Sequence, residues 1–220
     1  MLRLTRWVCK TCAVHLLRVQ LPDRPGSLGV VASAMGLCGA DITAMEIVEK
    51  GDGWVIDDFM LTMPKREGVW IDDLVSTCNA IDGVRVLWIS RHPEGWGLEA
   101  DIAVLERMVA ERERAVEILT LAAPQVFHCQ WAALLDRRDG SRLVGTELAP
   151  DFTPGQADGL GPLDELTRLD LAAGWLPHWS DTTVAICPVD ENQALVLGRA
   201  GGPDFLDSEL RRLSHLAALA

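Results

Sequence analysis

Asp23 and Asp41 are the residues best placed to do chemistry, because each stands beside a different kind of backbone end. Asp23-Arg24-Pro25-Gly26-Ser27-Leu28 is a tight turn between an apolar strand and a small-residue helix. Pro25 sets φ, and Gly26 permits the bend and lets a ligand approach the main chain. The helix start that follows offers free N–H groups, which favour an anion. Asp41-Ile42 opens the next strand, and a carboxylate there favours a cation. A small molecule carrying both charges, such as an amino acid, matches the pair. The candidate ligand-binding residues are therefore Asp23, Gly26, Ser27, Leu28, Asp41 and Ile42. The same residues also read as an ordinary turn and an ordinary helix-to-strand junction, and spacing alone leaves both readings open.

Other chemistry is poorly represented. No G-x-x-x-x-G-K phosphate loop and no G-x-S-x-G elbow occurs, so no catalytic residue is nominated. The histidines His15, His92, His128, His178 and His215 have no metal spacing, and Cys9-x-x-Cys12 is only half of a closed zinc site. Neither a metal nor a cofactor is expected. Asp57 and Asp58 are adjacent in a strand and so point to opposite faces; one is expected in solvent, with the other free to lie near an interface. Trp131, Trp175, His178 and Trp179 suit either the wall of an apolar pocket or plain core filling.

With 220 residues and 49% hydrophobic content, the chain can bury a substantial core in one or two domains. A formal net charge of −12 disfavours nucleic acid or an anionic membrane as partner, since both require a basic face. Lys10 interrupts the apolar start where an export signal would lie, so a cytoplasmic protein is expected.

The elements that must position these residues follow from periodicity. Strand Val14 to Leu21, helix Ser27 to Cys38, strand Asp41 to Glu49, turn Lys50 to Gly53, strand Trp54 to Met63, helix Ile71 to Cys78 and strand Val84 to Ile89 give β-α-β-β-α-β, the order of a ferredoxin-like fold. His92 to Gly97 reads as a linker. One long amphipathic helix is predicted from Leu98 to about Ala122, with Leu98, Ile102, Leu105, Val109, Val116 and Leu119 as its stripe. Strands at Gln125 to Leu135 and Arg142 to Leu148, a loop to Pro162, a helix at Leu163 to Ala173, strands at Thr182 to Val189 and Gln193 to Arg199, and a helix at Ser208 to Leu219 complete an α/β half with an antiparallel sheet. Asp207 or Ser208 is the expected cap of that last helix. The fold class is α+β.

Asp23-Arg24-Pro25-Gly26-Ser27-Leu28-Gly29, followed by Gly39-Ala40-Asp41-Ile42, resembles the ACT domain, a small regulatory module that commonly binds amino acids; the resemblance covers residues 14–92. Ala194 to Arg199, then Gly202-Pro203-Asp204-Phe205-Leu206-Asp207-Ser208-Glu209-Leu210, resembles the end of a GAF domain, covering residues 98–220. The first resemblance implies a carboxylate cradle at Asp23 to Leu28 and an ammonium site at Asp41-Ile42, frequently across a dimer interface. The second implies neither a bilin, since His128-Cys129 is in reversed order, nor a cyclic nucleotide.

Together these readings predict a non-catalytic cytoplasmic regulator: a homodimer that binds an amino acid at its first half and acts on a protein partner. Two alternatives are a dimerisation or protein-interaction module with no small ligand, and a cysteine-based redox enzyme of GAF fold using Cys129 and Cys187.

Overall fold

The structure, a computed structural model, describes residues 14–63, 71–92, 98–152, 154–172, 174–175 and 181–220. Cys9, Cys12, His178, Trp179 and most of the expected linker lie outside these residues. The chain forms two compact units, divided between Glu94 and Gly95, both mixing helices with antiparallel sheet. The fold is α+β.

In the first unit, the elements are β1 (Val14–Pro22), α1 (Ser27–Leu37), β2 (Asp41–Lys50), β3 (Trp54–Thr62), α2 (Ile71–Asn79) and β4 (Arg85–His92). They follow the expected β-α-β-β-α-β order, and the sheet order is β2-β3-β1-β4 with every neighbour antiparallel. Alternate residues of β1 (Leu17, Val19, Leu21) and of β3 (Val55, Phe59, Leu61) form one core with Val31 and Met35 of α1 and with Leu74 and Cys78 of α2. Both helices therefore lie on one face, as period-2 strands and period-3.6 helices require. Leu28 is exposed and Cys38, past the helix end, is half-buried; Val31, Ala34 and Met35 are the buried residues of α1. β2 departs from strict alternation at two irregularities, between Ile42 and Ala44 and between Ile47 and Glu49.

The other face of the sheet carries Leu16, Arg18, Ile56, Asp58 and Met60, all buried. Asp57 and Asp58 do point to opposite faces, but neither is solvated: they are 2% and 1% exposed. Asp58 is buried because Arg18, directly opposite it in the β1–β3 register, supplies a matching fork of donors.

The second unit comprises α3 (Leu98–Ala110), a single 3-10 turn (Arg112–Arg114), α4 (Ala115–Phe127), β5 (Trp131–Asp136), β6 (Arg142–Gly145), α5 (Pro154–Asp158), β7 (Thr167–Asp170), β8 (Thr182–Pro188), β9 (Gln193–Ala200) and α6 (Asp207–Ala217). Its antiparallel sheet has the order β6-β5-β9-β8-β7. One face packs Ala132, Ala185, Leu195 and Leu197 against α3, α4 and α6. The other packs Trp131, Val184, Ile186 and Val196 against Phe152, Leu160 and Leu171 of the connecting segments.

Three sequence expectations fail here. The long helix is broken: Glu111 leaves the helical region (φ −126°, ψ 61°), and Arg114 pairs with both Glu111 and Glu117 across the break. Ile102 and Val109 of the expected stripe are exposed, whereas Val104, Met108, Ile118 and Leu119 enter one core. The strand expected from Gln125 does not start there, because α4 runs through Pro124 to Phe127 and ends where His128 turns left-handed. The helix expected over Leu163 to Ala173 is replaced by β7, which pairs Thr167 with Ile186 and Leu169 with Val184. Leucines three apart mimic a helical stripe, and the pairing partner decides.

Gly198 and Arg199, singled out by sequence, have architectural tasks. Gly198 is the cross-strand partner of Trp131, and any Cβ there would collide with the indole. Arg199 is fully buried. It donates to the carbonyls of Phe127 (2.7 Å), His128 (3.2 Å), Pro203 (3.2 Å) and Asp204 (3.3 Å), and to the Glu209 carboxylate (3.0 Å). Its guanidinium also lies 4.1 Å over the Phe205 ring. The expected cap residues are displaced: Leu206 holds the cap position, its N–H donates to Glu209 (2.8 Å), and Asp207 accepts from Arg168 (2.8 Å).

Candidate functional site

The turn between β1 and α1 is held by its own backbone. The Asp23 N–H donates to Gly53 O (3.1 Å), the Arg24 N–H to Pro22 O (2.9 Å) and the Ser27 N–H to Arg24 O (3.2 Å). Gly26 sits left-handed at φ 93°, the conformation that brings the chain into α1 and disfavours a side chain. No side chain caps the helix, so its first turn faces outward with its positive end uncompensated.

A cleft of about 310 Å³ opens at this turn. Pro22, Arg24, Pro25, Gly26, Ser27 and Val30 form one wall, and Ile81, Asp82 and Val84, from the turn between α2 and β4, form the other. Both turns lie at the same end of the unit because α1 leaves, and β4 begins, where β1 ends. Arg24 and the helix start supply positive potential, Asp82 a negative charge, and Val30, Ile81 and Val84 an apolar floor. That is a suitable chemistry for a zwitterion with an apolar side chain.

The structure brings Asp23, Gly26, Ser27 and Leu28 together, but not Asp41 and Ile42. Asp41 pairs with Thr62, which in turn pairs with Val14 at the start of β1. Asp23 follows Pro22 at the other end. Asp41 and Lys50 stand at opposite ends of the 10-residue β2, roughly 30 Å apart at the rise of an extended strand. Asp41 is exposed, and Ile42 is half-buried against the first core. No single copy of the first unit can close one small ligand between the two groups.

Lys50, beside Asp23, and the buried Asp57 of β3 were not foreseen as parts of a site. Lys50 places its Nζ 3.5 Å from both Asp23 carboxylate oxygens. Asp57 shares the helix-side face of the sheet: it is opposite Ile47, two residues along β3 from Val55, the partner of Lys50. Its Oδ1 is buried without a hydrogen-bond partner. Burial first, then the neighbouring Asp58 charge, pushes its carboxyl up to about 6, with Asp23 adding to the rise and Lys50 opposing it. Asp57 stands opposite Val19 of β1, three residues along β3 from Trp54, the partner of Pro22, and no local sequence signal marks its burial.

In the second unit the aromatic cluster is filling. Trp131 and Phe152 meet edge to face at 5.7 Å, Phe152 and Trp175 at 5.9 Å, and the Trp175 Nε1 donates to Gln156 O (3.0 Å). Cys129 and Cys187 are buried, and desolvation raises their thiols to about 12 and 11 respectively.

No protein-family model matches this chain, and no curated protein is similar to it. Among the solved structures that match it, two align along most of its length. One, an unknown protein from Galdieria sulphuraria, is 11% identical, with 93% of this chain and 89% of the other covered and a TM-score of 0.30. The other, a formyltetrahydrofolate deformylase from Pseudomonas putida KT2440, is 11% identical, with 93% and 92% covered and a TM-score of 0.33. Likeness this loose is uninformative about fold or activity. Among the described residues, no helix is long and apolar enough to cross a membrane.

Proposed function

We propose that this chain is a non-catalytic regulatory protein of the cytoplasm that binds a small amino acid at an ACT-like first unit and is linked to a GAF-like second unit. The observation that carries this reading is the cleft at the β1–α1 turn, where an uncapped helix start and Arg24 face Asp82 across an apolar floor. The α-carboxylate is assigned to the helix start and the ammonium to a carboxylate nearby.

The acceptor at Asp41 acts from a second copy. β2 is a sheet edge, exposed along most of its length, and Met45 and Ile47 on it are exposed apolar residues. α1, which has no charged side chain, leaves Val30 and Leu37 exposed. An edge and an apolar face of this kind call for a cover. Antiparallel two-fold pairing of β2 with β2 of a second copy sets Asp41 of one against Lys50 of the other, and so beside Asp23. The two predicted halves of the site would then meet only in the dimer.

For the second unit, the filled face beneath Trp131, Phe152 and Trp175 favours protein interaction over a small ligand. The buried, protonated thiols of Cys129 and Cys187 lend the redox alternative no support.

Thermal shift and calorimetry of the full chain against the standard amino acids test the reading. At least one should stabilise the protein, and Asp41→Ala should abolish that shift. Absence of stabilisation by any of them overturns it.

A further inference from the structure

Asp82 is the one carboxylate that lines the cleft at the β1–α1 turn, and the backbone builds its place there. Ile81 to Val84 is a tight turn, closed by the Val84 N–H donating to Ile81 O (3.0 Å). The Ile81 N–H donates to Cys78 O (3.1 Å) and joins the turn to α2. Gly83 is left-handed (φ 75°), and a Cβ there would lie 2.8 Å from the Pro22 ring. The turn is thus pressed onto the end of β1, and the wall carrying Asp82 is held against the wall that begins at Pro22. Just beyond, the Val86 N–H donates to Asn79 Oδ1 (2.7 Å) and ties β4 back to α2.

The cleft holds two opposite charges that do not meet. Among the described residues, neither Arg24 nor Asp82 is in an ion pair. Arg85, the basic residue nearest to Asp82 in the chain, donates instead to Gln20 Oε1 (3.2 Å). Val30, Ile81 and Val84 line the same cleft, and Val30 is 54% exposed, open to the stem of a ligand. At about 310 Å³ the cleft has room for one small molecule. A lining of this kind suits an aliphatic stem that ends in a cation: methylenes cover the apolar wall while the charged end meets a carboxylate. A wholly aliphatic side chain would use the wall but displace water from Asp82 with no replacement. With the α-carboxylate at the helix start and the α-ammonium at Asp41 of a second copy, Asp82 is the carboxylate left for the side chain.

We propose that Asp82 selects the side chain of the ligand, and that the amino acid bound is a basic one. It lies with its α-carboxylate towards Arg24 and the start of α1, and with its stem along Val30, Ile81 and Val84. Its terminal ammonium or guanidinium donates to the Asp82 carboxylate. The inference rests on the amino-acid reading above and adds to it the ligand class and the residue that reads it.

The experiment is calorimetry of the full chain, wild type and Asp82→Asn, with the standard amino acids. Norleucine and citrulline are added as the uncharged counterparts of lysine and arginine. Lysine or arginine should bind wild type at least about tenfold more tightly than its counterpart. Asp82→Asn should weaken that basic ligand by about fivefold or more and leave the affinity of the counterpart unchanged. Asparagine suits an exposed turn position, so the variant folds, and its binding of the counterpart reports an intact cleft. If a neutral amino acid binds wild type as well as lysine and arginine do, or if Asp82→Asn keeps the wild-type preference, selection by Asp82 is overturned and the amino-acid reading stands. If no amino acid binds wild type, both fall.

Discussion

Arg18 and Asp58 face each other across β1 and β3 and form a two-point ion pair, Nε to Oδ1 at 2.7 Å and Nη2 to Oδ2 at 2.8 Å, with both side chains only 1% exposed. The pair occupies a sheet face otherwise lined by Leu16, Ile56 and Met60. Both groups are withdrawn from water, so the contacts between them replace solvation that burial removes.

Removing one partner should therefore be far worse than removing both. Asp58→Ala takes two charge-assisted contacts from a buried guanidinium and should destabilise the first unit by about 3–5 kcal/mol. Arg18→Met combined with Asp58→Leu should recover most of that loss. Urea titration of the four proteins in a double-mutant cycle measures the coupling. Additive single and double effects would show that the pair is not coupled.

Asp57 gives the opposite sign. Its carboxyl is raised to about 6 in the folded chain, above the ordinary carboxylate value. The folded state then holds the proton more tightly than the unfolded chain does. Ionised Asp57 destabilises the fold above about pH 6, and the penalty vanishes below the unfolded value near pH 4. Asp57→Asn should thus be more stable than wild type at pH 7.5 by about 1–3 kcal/mol and equal to it near pH 4. A destabilised Asp57→Asn at pH 7.5 would mean that the carboxylate has a partner in solution.

The first unit was legible in sequence because each of its signals is local. Gly26 and Gly53 mark turns, and the spacing of Val31 and Met35, or Leu74 and Cys78, needs only one helix to be read. The second unit was less so. Val109 and Val116 keep a heptad spacing straight across the break at Glu111, so the stripe continues where the helix does not. Leu163, Leu166 and Leu169 sit three apart, yet Leu169 belongs to a strand because Val184 pairs with it. The site divides in the same way. Asp23 to Ser27 is a contiguous segment, and its turn was legible. Asp82 comes to it only through the order β2-β3-β1-β4, which brings distant segments to one end.

Arg199 should not be replaceable by lysine. Its planar fork reaches carbonyls at the end of α4 and after β9, together with Glu209 at the start of α6. An ammonium has three donors from one point and cannot span them. Arg199→Lys should loosen all three elements together and lower stability by about 2–4 kcal/mol. Hydrogen exchange should rise over residues 126–130 and 203–210 while β1 to β4 keep wild-type protection. Unchanged exchange in those segments would reduce Arg199 to ordinary filling.

The β2 edge carries the last prediction, because the dimer and the ligand can be separated there. Ile47 is exposed on the edge strand of the sheet, on the face shared with the helices, and Asp41 stands at the strand's far end. A lysine on such an edge is a common natural block to strand pairing. Ile47→Lys should raise the dimer dissociation constant by at least about tenfold and abolish amino-acid binding with it. Asp41→Ala should leave the dimer intact and lose only the ligand. Sedimentation velocity paired with calorimetry on the two variants distinguishes these outcomes. If Ile47→Lys remains as dimeric as wild type, β2 is not the pairing edge. If it is monomeric and still binds ligand, the site is complete in one copy, in the cleft between Arg24 and Asp82, and Asp41 has no part in it.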